Sequence, residues 1–271
     1  MTSTAPSLTS ATPRHFHWPE YLIEAGGLGL FMLSACTFAV LLDLSDSWGQ
    51  RTFPDPTVRR LIFGLAMGLT AVGIIYSPWG QRSGAHLNPA TTLTFLRLGK
   101  APARDAVGYM AAQFIGGIAG VGIAAVLLSP GIADPTVHYV VTRPGEAGPV
   151  LAFIAELFIS FGLMMAVLIV SNSARHARFT GICAGVLVAT YITLEAPLSG
   201  MSMNPARTIG SAVLAQDWTA IWVYLTAPVL GMLLAAEVYL RVRGPASVRC
   251  AKLQHPRTGP CIFHCSIPGQ H

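Results

Sequence analysis

The chain contains one ten-residue phrase twice, and each copy lies in a short segment between long apolar stretches. Residues 83–92 read SGAHLNPATT and residues 199–208 read SGMSMNPART, so both fit the pattern S-G-x-x-x-N-P-A-x-T. The helix-compatible stretch after each copy is too short to cross a bilayer, which takes about 20 residues. A phrase repeated in two apolar halves predicts a duplicated membrane protein with one pathway between its halves.

The composition favours a membrane protein over a soluble one. Of the 271 residues, 52% are hydrophobic and 11% are charged, whereas soluble domains carry about 25% charged residues. The net charge is +5, but the basic residues form no stripe interleaved with aromatic residues, so we predict no nucleic-acid partner. Residues 1–12 lack a basic region before an apolar stretch, so residues 1–19 are predicted to be a disordered N-terminal tail rather than a signal peptide.

Six apolar segments are long enough to span a bilayer. They are predicted at residues 21–42, 60–76, 106–128, 150–170, 180–194 and 220–240. The two segments with the repeated phrase, 83–98 and 199–214, follow the second and the fifth span. Each repeat, about residues 20–128 and 148–243, then has three full spans, so the second repeat enters the membrane inverted. The expected fold class is an all-α membrane protein with six transmembrane helices and two re-entrant half-helices, in a channel domain at 20–243.

The Lys and Arg residues predict the orientation of the chain. Twelve of the 17 lie on one side, including Arg82 and Lys100, and the other five, including Arg59 and Arg143, lie on the opposite side. Because cytoplasmic loops are enriched in Lys and Arg, we expect both termini in the cytoplasm of a multi-pass protein of the cell membrane. The first phrase then enters from the cytoplasm and the second from outside.

The repeated Asn-Pro-Ala suits the start of a short helix inside a pore. Asn is a favoured N-cap whose side-chain oxygen accepts a backbone N–H, and Pro fits the first helical position. The amide NH₂ of each Asn is then left as a donor, and two helix N-termini, each worth roughly half a positive charge, repel cations. A water molecule held by two such donors cannot readily relay a proton, which is how half-helix dipoles exclude protons. The predicted pore residues are Asn88, Pro89, Ala90, Asn204, Pro205 and Ala206.

These motifs resemble those of the aquaporin and glycerol-facilitator family of major intrinsic proteins. The resemblance rests on SGAHLNPATTL, on SGMSMNPARTIG and on the pattern that begins at Glu24 in the first span, and it covers about residues 20–241. It implies a bacterial aquaporin-like channel with one pore per subunit, a homotetrameric assembly and no cofactor. Its expected partners are water, small neutral solutes and the lipid bilayer.

The resemblance also implies a narrow outer constriction with four walls. Arg207 is expected there as a donor that repels cations; the alternative is that it extends to the outer surface. Counting back from the second phrase puts Met201 and Ile192 on two further walls. The fourth wall is Phe63, or Gly68 if the count runs without a gap from the first phrase. Water-selective relatives often carry His in place of Ile192, so we expect a water channel that tolerates small neutral solutes.

Three further ionisable residues have two interpretations each. Glu24 and Glu156 hold equivalent places early in the first and fourth spans. As intramembrane carboxylates they are candidates for a proton relay or a coupling-ion site, whereas the family resemblance implies that each braces a re-entrant loop. His86, just before the first Asn-Pro-Ala, is expected to form packing hydrogen bonds, with a pH gate as the alternative.

The leading functional hypothesis is a passive channel, and the alternative is an ion-coupled secondary transporter, which also uses inverted repeats and broken helices. The apolar segments hold no cluster of metal-binding side chains and no nucleophile beside a base, so no enzyme is predicted. Residues 244–271 are expected to form a disordered C-terminal tail. The spacing of its Cys and His residues fits no standard zinc pattern, so no metal is assigned. These residues are Cys250, His255, Cys261, His264 and Cys265.

Overall fold

The computed structural model describes residues 16–255 and 261–267, so residues 1–15 of the predicted disordered tail (1–19) lie outside the described residues, whereas the first helix already begins at Trp18. Within that part of the chain, six helices are long and apolar enough to span a membrane, and two shorter helices begin at the repeated phrase. In chain order the eight are α1 (Trp18–Asp43), α2 (Pro56–Tyr76), α3 (Pro89–Arg97), α4 (Ala103–Leu127), α5 (Gly148–Ser171), α6 (Thr180–Leu194), α7 (Pro205–Ala215) and α8 (Ile221–Arg243). The predicted fold class is confirmed, with α3 and α7 as the half-helices.

The helices pack as two equivalent halves that exchange their half-helices. Helix α1 packs against α4, and the equivalent α5 packs against α8, while α2 and α6 join the halves. Half-helix α7 of the second repeat packs on α4 of the first, and α3 of the first repeat packs on α8 of the second. Each repeat therefore completes the core of the other, and the two Asn-Pro-Ala phrases are brought to one central place.

Glycines allow the closest crossings between these helices, because lipid provides no hydrophobic drive and backbones must approach closely to gain contacts. A Cβ on Gly68 of α2 would lie 2.5 Å from the carbonyl oxygen of Gly185 on α6. A Cβ on Gly117 of α4 would lie 2.6 Å from the carbonyl oxygen of Ala206 at the start of α7. The second crossing fixes how deeply the half-helix enters the bundle, so it bears directly on the site.

The chain after α8 returns to the channel domain. The backbone N–H of Leu253 donates to the carbonyl oxygen of Gly84 at 3.1 Å, and that of His264 donates to the carbonyl oxygen of Lys100 at 2.9 Å. Phe263 belongs to the main buried core, at 5% exposure. Residues 244–255 and 261–267 therefore pack on the channel domain, which differs from the expected disordered tail. The buried residues here follow no helical or strand period, so pattern reading could not detect them.

Candidate functional site

Each half-helix is capped by the asparagine of its own phrase. Asn88 Oδ1 accepts a hydrogen bond from the backbone N–H of Ala90 at 2.9 Å. Asn204 Oδ1 accepts from Ala206 at 3.0 Å and from Arg207 at 3.3 Å. Both asparagines are extended, and a proline follows each at the first helical position. The helix N-termini and their partial positive charges therefore start at the two asparagines.

The asparagine amides also bond across the two repeats. Asn88 Nδ2 donates to the carbonyl oxygen of Met203 at 2.7 Å, and Asn204 Nδ2 donates to that of Leu87 at 2.8 Å. Each amide thus uses one of its two N–H groups inside the protein, which differs from the expectation that the whole NH₂ group stays available. The reason is that the helix tips meet closely enough for each amide to reach the opposite loop. Both asparagines still line the central cavity, with one N–H each outside these bonds.

A loop precedes each half-helix, the first at residues 84–88 and the second at residues 200–204. Matching residues of these two loops have left-handed backbone. In the first loop φ is 53° at Ala85 and 51° at Leu87, and in the second it is 48° at Met201 and 53° at Met203. Residues other than glycine seldom adopt this conformation, and it persists only where the surroundings fix it. In both repeats, the last of these residues supplies the carbonyl that the opposite asparagine binds.

Glu24 fixes the first loop from behind. Its Oε1 accepts hydrogen bonds from Ser83 Oγ at 2.7 Å and from the backbone N–H of His86 at 3.1 Å. Its Oε2 accepts from the backbone N–H of Leu87 at 2.6 Å and from Gln113 Nε2 at 2.8 Å. The carboxylate is fully buried, and four donors surround it. Such hydrogen bonds make a buried carboxylate tolerable without a counter-ion.

Glu156 does the same for the second loop. Its Oε1 accepts from Ser199 Oγ at 2.8 Å and from the backbone N–H of Ser202 at 2.6 Å, and its Oε2 accepts from the backbone N–H of Met203 at 2.7 Å. Both carboxylates therefore hold the backbone amide of the residue whose carbonyl accepts from the opposite asparagine. Carboxylate, loop residue and asparagine form one chain of hydrogen bonds in each repeat.

Two tyrosines that sequence analysis did not assign to the site complete the loops. Tyr109 OH donates to the carbonyl oxygen of Ser83 at 2.7 Å, and Tyr224 OH donates to that of Ser199 at 2.6 Å. Each tyrosine follows the serine at the start of its phrase by 26 or 25 residues, so this near-equal spacing in the two repeats could have identified both tyrosines. Gln113 was also missed, and no polar residue stands at the equivalent place in α8, so no comparison of the repeats could find it.

A cavity of about 430 Å³ runs past the junction of the half-helices. The end of the cavity that is lined by Asp43 and Arg60 is called the outer end. The end that is lined by Leu253 of the tail is called the inner end. The middle is lined by Asn88 and Asn204, and most of the remaining wall is apolar. The cavity thus joins the two sides of the bundle past two helix N-termini, with polar groups concentrated at few points.

The four residues expected at the outer constriction all line this cavity. They are Phe63, Ile192, Met201 and Arg207. Phe63 also packs against the buried cluster that contains Ile192 and Met201. Gly68, the alternative to Phe63, faces Gly185 of α6 at the close helix crossing and is not among the lining residues.

The Arg207 side chain lines the cavity rather than extending to the outer surface. Its Nη1 donates to the carbonyl oxygen of Val140 at 2.8 Å, and Val140 belongs to the segment between α4 and α5 that lines the outer part of the cavity. The bond to Val140 uses one N–H group of the guanidinium, and the other N–H groups do not take part in it.

Asp217 fastens the segment that carries Val140. It pairs with Arg143, and His138 Nε2 lies 3.3 Å from its Oδ2. Burial by itself would raise the pKa of Asp217, but hydrogen bonds from Thr219 and Arg143 outweigh it and hold that pKa well below its ordinary value. The carboxylate therefore stays charged in mild acid. It continues to hold the segment whose Val140 carbonyl accepts the hydrogen bond from Arg207.

His86 is held on both ring nitrogens. Nε2 lies 2.8 Å from the carbonyl oxygen of Ala251, which can only accept, so Nε2 carries a proton. Nδ1 lies 3.1 Å from Thr92 Oγ1. The ring stacks between Phe95 and Phe263 with centroid distances of 5.1 and 5.3 Å. These contacts describe a packed imidazole that joins the first loop to the tail.

The sequence model of the family described as "Major intrinsic protein" matches residues 14–239. This chain belongs to the major intrinsic protein family. The resemblance drawn from the repeated phrase is therefore confirmed.

Two plant proteins and one solved structure illustrate the similarity of this major intrinsic protein to others. Aquaporin NIP6-1 of Arabidopsis thaliana is 39% identical over 176 residues, which are 65% of this chain and 56% of that protein. Aquaporin NIP1-3 of Oryza sativa subsp. japonica is 35% identical over 217 residues, 80% of this chain and 71% of that protein. The structure of the aquaglyceroporin from Plasmodium falciparum matches with a TM-score of 0.71 at 21% identity, covering 86% of this chain and 99% of that one. The structural match supports the fold.

Proposed function

We propose that this major intrinsic protein is a passive membrane channel for water and small neutral solutes that excludes ions and protons. The observation that carries the proposal is the continuous cavity past Asn88 and Asn204, with a positive helix end at each asparagine. A cation at that point would meet two helix N-termini and no carboxylate side chain on the wall beside it. A neutral molecule that accepts hydrogen bonds would be oriented there by the two remaining amide N–H groups.

The proposed solute filter is the outer group of Phe63, Ile192, Met201 and Arg207. One charged donor and three apolar side chains line the cavity there. A hydrated ion would lose water there without enough replacement ligands, whereas water needs few partners. Met is a flexible, apolar side chain that adapts to its neighbours. We therefore assign water as the main solute and small neutral molecules such as glycerol as further ones.

The alternative of an ion-coupled transporter loses its best support in this geometry. Glu24 and Glu156 would have to bind or release an ion during transport. Both instead point into their own re-entrant loops, where backbone N–H groups and a serine hydroxyl occupy their oxygens. Neither carboxylate lines the cavity. Their proposed role is to brace the loops, and His86 is assigned a similar packing role, with no enzymatic reaction at this site.

The assembly and placement belong to the same proposal. The described helices favour a multi-pass membrane protein. The excess of Lys and Arg on the inner side, including Arg82 and Lys100, supports cytoplasmic termini and placement in the cell membrane. We propose a homotetramer with one pore in each subunit.

Stopped-flow light scattering of proteoliposomes tests the proposal. The reconstituted chain should speed osmotic shrinkage well above that of empty liposomes, and the flux should follow the osmotic gradient with no requirement for Na⁺ or a pH gradient. A glycerol gradient in the same vesicles measures the second solute. Shrinkage equal to that of empty liposomes, with correctly folded protein present, would reject the channel; accumulation of solute against its gradient would favour the transporter.

A further inference from the structure

The tail residues that follow α8 bring three cysteines and one histidine together at the inner mouth. Cys250 Sγ and Cys261 Sγ lie 3.6 Å apart. Cys250 and Cys265 belong to one buried cluster, and Cys261 packs against it. A ligand atom of His255 lies within 4.8 Å of the sulfurs of Cys250 and Cys265. In sequence these residues have the spacing C-x₄-H-x₅-C-x₃-C, which is unlike common zinc patterns, so it is the fold that groups them.

We propose that Cys250, His255, Cys261 and Cys265 form a structural zinc site that fastens the tail over the inner mouth of the channel. Three thiolates and one imidazole are a standard ligand set for tetrahedral structural zinc. With Zn–S bonds of about 2.3 Å, two sulfurs of a tetrahedral site lie roughly 3.8 Å apart. The observed separation of 3.6 Å fits that edge, and it is far from the ~2.05 Å of a disulfide bond.

The surroundings suit a closed structural site. Cys250 and Cys265 are buried, at 3% and 7% exposure, so bound zinc would be shielded from solvent. Zinc with three thiolates and a neutral imidazole carries one net negative charge. Lys252 is 1% exposed and lies two residues after Cys250 in the chain. A cation beside the cluster complements that net charge.

The proposed zinc site lies where the tail contacts the first re-entrant loop. Ala251, next to Cys250, accepts a hydrogen bond from His86. Leu253 binds Gly84 through its backbone and lines the inner end of the cavity. Phe263 lies between Cys261 and Cys265 in sequence and stacks on His86. Zinc would therefore cross-link two stretches of tail that each contact the first re-entrant loop, and this conclusion does not depend on which solute passes.

The first test measures zinc in the full chain, purified in reducing, zinc-supplemented buffer with a tag that lacks histidine. We expect about one zinc per chain, by elemental analysis of the monodisperse protein. Cys250→Ser and Cys265→Ser should weaken zinc binding more than about 100-fold in competition with a chelator, because even loss of an outer-shell partner costs 10–100-fold. Cys183→Ser is the matched control, since Cys183 lies in α6, away from the tail, and should leave zinc content unchanged.

The second test follows the fold of the tail and the ligand type. Replacement by Co²⁺ should give the visible absorption of a tetrahedral thiolate site, which adventitious surface binding does not give. Removal of zinc by a chelator should speed tryptic cleavage after Arg249 and Lys252, and added Zn²⁺ should reverse the effect. Absence of zinc from the folded wild type, equal zinc in Cys250→Ser, or a Cys250–Cys261 disulfide in protein alkylated inside cells would each overturn the proposal. Channel flux enters none of these readouts.

Discussion

Asn88 Nδ2 donates to the carbonyl oxygen of Met203 at 2.7 Å, and this bond ties the first half-helix to the loop of the second repeat. Its counterpart runs from Asn204 to Leu87 at 2.8 Å. The asparagine of each phrase therefore has two tasks. Its oxygen caps its own half-helix, while its nitrogen holds the opposite loop and presents one further N–H to the cavity.

Asn204→Asp separates these two tasks. The carboxylate keeps the capping acceptor for Ala206 and Arg207, but it loses the donor to Leu87 and adds a negative charge at the centre of the cavity. We expect water flux to continue, while leakage of protons and cations rises on the order of tenfold, which corresponds to ~1.4 kcal/mol. Dye-loaded proteoliposomes under a pH gradient measure the leak. Asn172→Asp, outside the cavity wall, serves as control, and an unchanged leak in Asn204→Asp would refute the central barrier.

Arg207→Val tests the outer barrier. The change removes the positive charge at the cavity wall and its bond to Val140, while leaving the cap of α7 in place because that uses the backbone. Passage of cations and protons should rise by about tenfold, a change of ~1.4 kcal/mol in the barrier, and water flux should stay within a factor of about two. Arg51→Val, an exposed arginine of the outer loop, is the matched control. Equal ion exclusion in both variants would remove Arg207 from the filter.

How much of this site the sequence could predict differs between its parts. The Asn-Pro-Ala caps follow from local chemistry, so Asn88 and Asn204 could be assigned from the phrase alone. The link from Asn88 to Met203 could not, because it depends on how closely two helices distant in sequence approach. The close contact of Gly117 on α4 with Ala206 helps to position α7 for that approach, and it is a matter of packing.

The tail was the largest departure from the sequence-based expectation. Its buried residues, such as Val248, Leu253 and Phe263, are scattered among polar ones and have no period. Local pattern reading detects amphipathic elements, and this segment is irregular. Its order comes from contacts with the first loop and with the segment around Lys100, both more than 150 residues earlier in the chain.

Met201→Ala tests which solutes the proposed filter admits. The side chain shrinks while Cβ and the left-handed backbone stay, so the loop should keep its form. The wall beside Ile192 and Phe63 recedes, and the permeability ratio of glycerol to water should rise about three- to tenfold, since each tenfold needs only ~1.4 kcal/mol. Met165→Ala is the same truncation on a residue of α5 that does not line the cavity. If the ratio changes no more than in that control, Met201 does not determine the width.

Glu156→Gln distinguishes a brace from a coupling-ion site. The amide retains one oxygen but presents an NH₂ group to hydrogen-bond donors, so one or two of the bonds from Ser199, Ser202 and Met203 are lost. Hydrogen bonds to a charged group contribute ~1.5–3 kcal/mol each, so the yield of folded protein and its melting temperature in detergent should fall clearly. Water flux per folded chain should remain near the wild-type value and independent of Na⁺ and pH gradients. Normal thermal stability together with loss of an ion-dependent flux would instead assign Glu156 to ion coupling.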